Sequence, residues 1–409
     1  MATLLTGSVA AQAITLLAYF LLLRIYTPSD FGLFTVFFSY IEVLAIISTC
    51  KYEMGVVAAD TDRSAAALAR FAMRLNAAVS ATMLVLLVVL LFAGWLPHKF
   101  MQLGWVVLLM APMVLFLGNN RVLAALYNRA HRYRDIAASD IVGAAAGAVI
   151  KAGLGLLGMH RAGMPLGAVL GQAAANTGYR LRLGRLALPQ VTAAEARAVA
   201  HRESNYPRYV APKDFVSSFS SNLPFLWLAL YFDNASVGLL AIAITFVIRP
   251  CQIVSAAFER VLFARTAERV RERQPVMGDL LRFVAATVGV AIVVAVVLWF
   301  FAEPLMAFCF GDRWEGCGVY IRALLPWAVA LMANLPLMYI PNIYGTQRTE
   351  LFIYLGQLAL RVAAIAIGIS VGSFLLGVRL FAAASALTSV VLVVWYLATC
   401  AKGKCRVDS

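Results

Sequence analysis

Residues 283–302 read FVAATVGVAIVVAVVLWFFA, a run of twenty residues without a charged side chain. A helix of about 20 apolar residues is long enough to cross the ~30 Å hydrocarbon core of a bilayer. Comparable apolar runs recur from one end of the 409-residue chain to the other, separated by short polar segments. The sequence therefore predicts an all-α, polytopic membrane protein.

The composition supports this class and limits the kinds of binding partner that we expect. Hydrophobic residues make up 62% of the chain and charged residues 13%, whereas soluble domains carry about 25% charged residues. The net charge is +14, but the basic residues lie in short loops between apolar runs, which is how a membrane protein sets its orientation. We therefore expect membrane lipids, and no nucleic acid, as partners.

The apolar runs predict about twelve membrane-spanning helices. Their predicted bounds are 4–25, 31–57, 71–95, 104–127, 136–158, 163–183, 213–232, 236–262, 279–302, 318–340, 351–371 and 377–400. The first run has neither a basic segment before it nor a small-residue cleavage site, so it is predicted to be a span and not a signal peptide.

Lysine and arginine are concentrated in alternate loops. One set of loops carries them at 63–74, 129–134, 180–213, 260–273, 348 and 402–406. The other set carries little beyond Lys99, Arg161 and Arg313. The positive-inside rule then places both termini and the longest loop in the cytoplasm. Loops 180–213 and 260–273 would also attract anionic lipid headgroups, although orientation alone accounts for their charge.

The two halves of the chain share short patterns. The same spacing separates Gly32 from Gly238 and Glu53 from Glu259. We predict an N-terminal six-helix lobe at 1–185, a cytoplasmic linker at 186–212, a C-terminal six-helix lobe at 213–400 and a cytoplasmic tail at 401–409. Parallel repeats of this kind are a transporter architecture with the substrate site between the halves; chance similarity among apolar segments is the alternative.

Several enzyme classes lack their signatures here. The chain contains no phosphate-binding G-x-x-x-x-G-K-[ST] loop, no H-E-x-x-H and no nucleophile elbow. We expect no catalytic residue, no cofactor and no metal site, since the six cysteines show no C-x-x-C pair. Cys309 and Cys317 flank a predicted outer loop, where they either form a disulfide or remain thiols.

Charged residues within the predicted spans are the main functional candidates, because each costs about 2.5–3.5 kcal/mol to insert. The cations are Arg24, Lys51, Arg121, Lys151, Arg249 and Arg361, and the carboxylates are Glu42, Glu53 and Glu259. The excess of cations favours an anionic substrate such as a phosphate or pyrophosphate, and the carboxylates are candidates for ion coupling. Alternatively, each cation snorkels or pairs locally, as Lys51 would with Glu53.

Two further patterns lie on the predicted helices. Ser217, Ser221 and Asn222 open the seventh span, where they would contact a sugar or hydrogen-bond to a neighbouring helix. Gly143 and Gly147, with small residues spaced similarly on the sixth span, predict close packing of the fifth and sixth helices. Pro250 directly follows Arg249 and predicts a bend that suits a gate or cavity wall.

An ordered set of motifs resembles one family. LRIYTPSDFGLF at 23–34, Lys51-Tyr52-Glu53 (with Lys where Arg is usual), RYRDIA at 132–137, Arg249-Pro250 and FGDRW at 310–314 follow its order. The chain thus resembles polysaccharide-transporter (Wzx-type) oligosaccharide flippases of the multidrug/oligosaccharidyl-lipid/polysaccharide exporter superfamily.

The resemblance implies two six-helix lobes around a central cationic cavity in the bacterial inner membrane. It implies alternating access, with an undecaprenyl-pyrophosphate-linked oligosaccharide flipped from the cytoplasmic to the periplasmic leaflet for surface polysaccharide synthesis, whether O-antigen, capsule or exopolysaccharide. It assigns Arg24, Lys51 and Arg249 to the cavity, and it makes the polysaccharide polymerase and export machinery candidate partners.

Two other functions stay open. A multidrug or organic cation antiporter of the same superfamily would need intramembrane carboxylates, and the excess of cations disfavours it. A membrane glycan polymerase or ligase usually has a large periplasmic loop for its acceptor, and the sequence predicts none.

Overall fold

The computed structural model describes residues 18–184, 186, 188–272, 277–344 and 346–401. The regular secondary structure of these residues is entirely helical, as predicted. Nine of the described segments are long and apolar enough to cross a membrane. Most of the predicted first span, 4–17, lies outside the described residues, as do 402–409 of the predicted tail.

The chain forms two compact units, Met1–Leu226 (unit 1) and Trp227–Ser409 (unit 2). Unit 1 contains α1 (18–25), α2 (Pro28–Thr49), α3 (Tyr52–Ala58), α4 (Asp62–Ala93), α5 (His98–Leu103), α6 (Met110–Arg129), α7 (Tyr133–Leu156), α8 (His160–Leu183), α9 (Ala193–Arg202) and α10 (Ala211–Leu223). Unit 2 contains α11 (Ala229–Tyr231), α12 (Asn234–Arg271), α13 (Met277–Phe310), α14 (Cys317–Asn334), α15 (Ile340–Tyr344), α16 (Gln347–Val371) and α17 (Phe374–Ala401). The division falls inside the predicted seventh span, 213–232.

The predicted second span, 31–57, is not one continuous helix. It ends at Thr49 and restarts at Tyr52, because Cys50 and Lys51 both adopt left-handed backbone conformations with φ of 48° and 60°. Such a conformation is uncommon for residues other than glycine. Neither residue is a glycine or proline, so the sequence carries no breaker signal for the interruption.

The predicted linker, 186–212, contains a helix that the hydropathy pattern does not reveal. α9 begins with a capping box, in which two residues cap each other. The Thr192 hydroxyl accepts a hydrogen bond from the Glu195 backbone N–H, and the Glu195 carboxylate accepts one from the Thr192 backbone N–H. The hydrogen bond from the Thr192 backbone N–H, together with the Arg63 guanidinium, lowers the pKa of the Glu195 carboxyl. Buried Ala196 and Ala200 lie on α9, which packs against α4.

The predicted seventh span is divided into short pieces. α10 lies between two wide π-helical turns, Tyr206–Val210 and Pro224–Leu228, and α11 follows the second turn. Wide turns of this type are rare and are enriched at functional sites. This segment is not among the nine long apolar ones.

Glycines bring α7 and α8 into close contact, as predicted for the fifth and sixth helices. A Cβ atom added at Gly143 would lie 2.7 Å from the Ala175 Cβ and 2.9 Å from the Gly171 carbonyl oxygen. A Cβ at Gly171 would lie 2.9 Å from the Gly147 Cα. The two backbones therefore leave no room for a side chain at this crossing.

We expect Gly143→Ala to lower the free energy of unfolding by about 1–3 kcal/mol, since the added methyl group overlaps α8. Gly153→Ala on the same helix is the matched control, because a Cβ there meets no atom of the described residues within 4 Å. The control should be neutral or stabilising by up to about 1 kcal/mol. Unfolding of both purified variants in detergent measures the difference, and equal stabilities would contradict the close contact.

Two neighbouring cysteines of unit 2 flank the predicted outer loop and form no disulfide with each other. Cys309 and Cys317 carry separate thiols, and the Cys317 thiol donates to the Leu239 carbonyl oxygen at 3.4 Å. The loop is therefore held by helix packing and not by a covalent bond.

Candidate functional site

Lys51 is placed by the break between α2 and α3. Its left-handed backbone directs the side chain toward α10, where Nζ lies 2.8 Å from Asp214 Oδ2. The Glu53 carboxylate is farther away, at 4.0 Å. Sequence reasoning proposed Glu53 as the local partner and did not single out Asp214, the residue that makes the close ion pair. Strained backbone of this kind persists only where its surroundings stabilise it, and it is common at functional sites.

A second contact ties α10 to α2. The Asn222 side-chain amide donates to Glu42 Oε2 at 3.2 Å and to the Ser218 carbonyl oxygen at 3.0 Å. Glu42 and Lys51 are nine residues apart, which separates them by about 13 Å along an α-helical rise. The two polar contacts therefore join α10 to the second span at separate levels.

Ser217 and Ser221 are exposed on α10 between these contacts. They follow Asp214 by three and seven residues and thus share its face of the helix. We call the resulting set the α2–α10 polar strip; it comprises Glu42, Lys51, Asp214, Ser217, Ser221 and Asn222. An ammonium group beside exposed hydroxyls suits a phosphorylated sugar, because the ammonium binds the phosphate while hydroxyls both donate to and accept from sugar oxygens.

Two of the predicted site residues, on α3 and α6, each bury a polar atom without a hydrogen bond to the described residues. The atoms are Glu53 Oε2 and Arg121 Nη1. Leaving a buried polar atom unsatisfied costs about 1–3 kcal/mol. These two predicted site residues are therefore not fully accounted for by packing.

Arg24 and Arg249 are exposed on their own units. Arg24 lies on α1, and Arg249 lies near the middle of the predicted eighth span on α12. Arg249 Nη1 donates to Gln252 Oε1 at 3.4 Å, a long contact one turn away. Glu259 is half-buried farther along the same helix.

Lys151 and Arg361 lie inside separate units, away from the polar strip. Lys151 Nζ is 5.2 Å from the centre of the Phe34 ring in unit 1. In unit 2, Arg361 is 5% exposed, its guanidinium carbon lies 4.8 Å from the Phe381 ring centre, and its Nε donates to Ser385 Oγ at 2.9 Å. The Trp327 ring, at 5.6 Å, completes this packing. Arg361 therefore helps to join α14, α16 and α17.

Across the described residues, no group of three or more His, Cys, Asp or Glu side chains is placed to hold a metal ion. The chemistry available to the polar strip is therefore that of one ammonium group, two carboxylates, two hydroxyls and an amide. These groups can bind and exchange ionic partners.

The sequence matches a family model described as "Polysaccharide biosynthesis protein" over residues 21–319. This chain belongs to that family. The match covers α2 through the start of α14 and includes the whole polar strip. Among curated proteins, none matches the sequence.

Solved structures with a similar fold include two MOP superfamily transporters and a lipid II flippase. The structure titled lipid II flippase MurJ, in an inward closed conformation, superposes with a TM-score of 0.71 at 13% identity, over 97% of this chain and 87% of that one. An inward-facing MATE family transporter of the MOP superfamily gives 0.66 at 14% identity, over 97% and 96%. A MOP superfamily transporter from Pyrococcus furiosus gives 0.64 at 14% identity, over 98% and 94%. At these identities the likeness establishes a MOP-type helical fold for this family member.

Proposed function

We propose that this family member flips an undecaprenyl-pyrophosphate-linked oligosaccharide from the cytoplasmic to the periplasmic leaflet of the bacterial inner membrane. The observation that carries the proposal is the polar strip, in which Lys51, on a strained backbone, pairs with Asp214 on the helix face that also carries the exposed Ser217 and Ser221. It lies within the region that matches the polysaccharide biosynthesis family. The MOP-type fold supports a transport function over catalysis.

Asp214 gives the strip a specific role in this mechanism. Its carboxylate is 2.8 Å from Lys51 Nζ and holds the position that a substrate phosphate would take. Phosphate oxygens and carboxylate oxygens compete for the same ammonium group. We propose that the pyrophosphate displaces Asp214 from Lys51 when the substrate binds and that Asp214 returns when the substrate leaves.

Alternating access of the two lobes would then carry the headgroup across while the lipid tail stays in the bilayer. Arg24 and Arg249, each exposed on its own unit, stay proposed substrate-binding cations. Moving a negative charge outward is favoured by about 2.3 kcal/mol per 100 mV of membrane potential, so the potential supplies a driving force without ATP. Glu42, Glu53 and Glu259 stay the candidate carboxylates for coupling to an ion.

Deleting the gene and locating the lipid-linked intermediates tests this function. Intact spheroplasts are treated with an impermeant glycan-cleaving enzyme, and the undecaprenyl-linked oligosaccharides are extracted afterwards. We expect complete repeat units to accumulate in the deletion strain and to be protected from the enzyme. Expression of the wild-type chain should restore export and remove the protected pool.

The other functions give different results in the same assay. A missing polymerase or ligase would leave repeat units accessible at the periplasmic face. A missing cation antiporter would change ethidium efflux and leave lipid-linked oligosaccharide unaffected. Either result contradicts the proposed flippase.

A further inference from the structure

A chamber of about 390 Å³ lies inside unit 1, among α1, α2, α6, α7 and α8. It is separate from the polar strip, none of whose residues lines it. One face of α7 forms a wall of the chamber with residues that recur at helical spacing. They are Asp140, Gly143, Ala144, Gly147, Ala148 and Lys151.

Lys151 places a positive charge at this wall. Its Cγ lies directly against Gly167 of α8, and its Nζ approaches the Phe34 ring on α2. No carboxylate of the described residues lies within ion-pair distance of Nζ. The remaining residues of unit 1, 1–17, 185 and 187, contain neither Asp nor Glu. Unit 1 therefore offers Lys151 no counter-charge.

Asp140, the acidic residue of the chamber, does not supply that charge either. It is eleven residues from Lys151 on the same helix face, which corresponds to about 16 Å along α7. Its Oδ1 instead accepts a hydrogen bond from the Tyr179 hydroxyl at 2.8 Å. The carboxylate and the ammonium group thus lie at opposite ends of the chamber.

The polar amides of the chamber are also engaged with one another. Asn120 donates to Gln172 Oε1 at 2.8 Å and accepts from Asn176 at 2.9 Å. A buried ammonium group loses much of its hydration, and an aromatic ring face offsets only part of that loss. A counter-ion is the simplest group that neutralises Lys151.

We infer that this chamber binds a small monovalent inorganic anion against the Lys151 ammonium group. The volume accommodates such an ion with several waters, since each water occupies about 30 Å³ in the liquid. Apart from Lys151, the hydrogen-bond donors among the described lining side chains are Tyr19, Asn120 and Gln172, which are neutral. Among these residues, a single positive charge therefore lines the chamber and suits a singly charged anion. The site is independent of the proposed transport of oligosaccharides.

Chloride is the probe. The purified full-length protein is unfolded by heating in detergent at constant ionic strength while chloride replaces gluconate, which is too large for the site. We expect a saturable rise of about 2–4 °C in the unfolding midpoint of the wild type. Lys151→Arg should keep this rise and Lys151→Gln should lose it, while Arg161→Gln, which removes an exposed cation from the start of α8, should keep it.

Radiolabelled chloride binding to the wild type provides a second measurement that needs no variant. It should saturate at one ion per chain, and bromide but not gluconate should compete. An absent chloride response in the wild type, or an unchanged response in Lys151→Gln, overturns the inference. Saturable stabilisation by phosphate with none by chloride would assign the chamber to a phosphate group and would also overturn it.

Discussion

Replacing Lys51 by methionine is expected to reduce export of lipid-linked oligosaccharide by about 100-fold. The substitution keeps the length of the side chain but removes the ammonium group that we assign to the substrate pyrophosphate. Losing one partner of a desolvated charge pair costs about 2–5 kcal/mol, and each 1.4 kcal/mol is a factor of ten. Pulse-labelling of surface polysaccharide in the complemented deletion strain measures the rate.

Lys213→Met is the matched control for charge. It removes a lysine from the residue next to Asp214, but Lys213 is exposed and forms no ion pair with the described residues. We expect export within about twofold of the wild type, since exposed substitutions change stability by no more than about 0.5 kcal/mol. Lys51→Arg should also keep export, because arginine retains the charge.

Asp214→Asn separates substrate binding from helix docking. If Lys51 serves only to hold α10 against α2, then Lys51→Met combined with Asp214→Asn should recover export, because neither charge is left unpaired. If Lys51 binds the pyrophosphate, the double variant should remain as inactive as Lys51→Met. Asp214→Asn alone should keep the substrate bound longer, seen as lipid-linked oligosaccharide that co-purifies with the protein. Recovery in the double variant would contradict the substrate role of Lys51.

Arg249→Ala is expected to abolish export while the protein still inserts and folds. Arg249 is exposed on unit 2, and among the described residues its hydrogen bond to Gln252 is long, at 3.4 Å. Its removal should therefore change the free energy of unfolding by no more than about 0.5 kcal/mol. The loss of a cation from the substrate path should lower the export rate by about 100-fold, measured by the same labelling assay.

The control for Arg249 is Arg379→Ala, which removes an exposed arginine from α17. It should leave export within about twofold of the wild type. Membrane-fraction immunoblots and unfolding midpoints establish equal amounts of folded protein. Normal export by Arg249→Ala would remove its assigned role.

Some of the predicted site residues lie in the polar strip and others lie in the interior of one unit, and their spacing in the sequence does not predict which. Lys51 contacts Asp214, and Glu42 contacts Asn222, because α10 packs against α2. Lys151 and Arg361, equally plausible as buried cations in the sequence, enter separate interiors where Phe34 and Phe381 contact them. Asp214 was missed because an acidic residue beside a basic one, in a segment of modest hydropathy, looks like part of a loop.

The sequence by itself determined the class of this protein. Hydropathy over about 20 residues reflects the thickness of the bilayer, so the membrane spans follow from local composition. Small residues at Gly143 and Gly147 determined the close α7–α8 contact for a similar reason, since backbone approach depends only on the absence of side chains. The motifs that resemble oligosaccharide flippases also agree with the family match over residues 21–319.

Only the tertiary structure decided which charges meet. The left-handed backbone at Cys50 and Lys51 lacks a local signal, because it is stabilised by contacts with a helix more than 160 residues later in the chain. The counter-charge of Lys51, and its absence for Lys151, likewise depend on which helices become neighbours. An ion pair forms only where two charged groups lie close together in space. Hydropathy depends only on which residues follow one another along the chain, so it cannot predict such a pair.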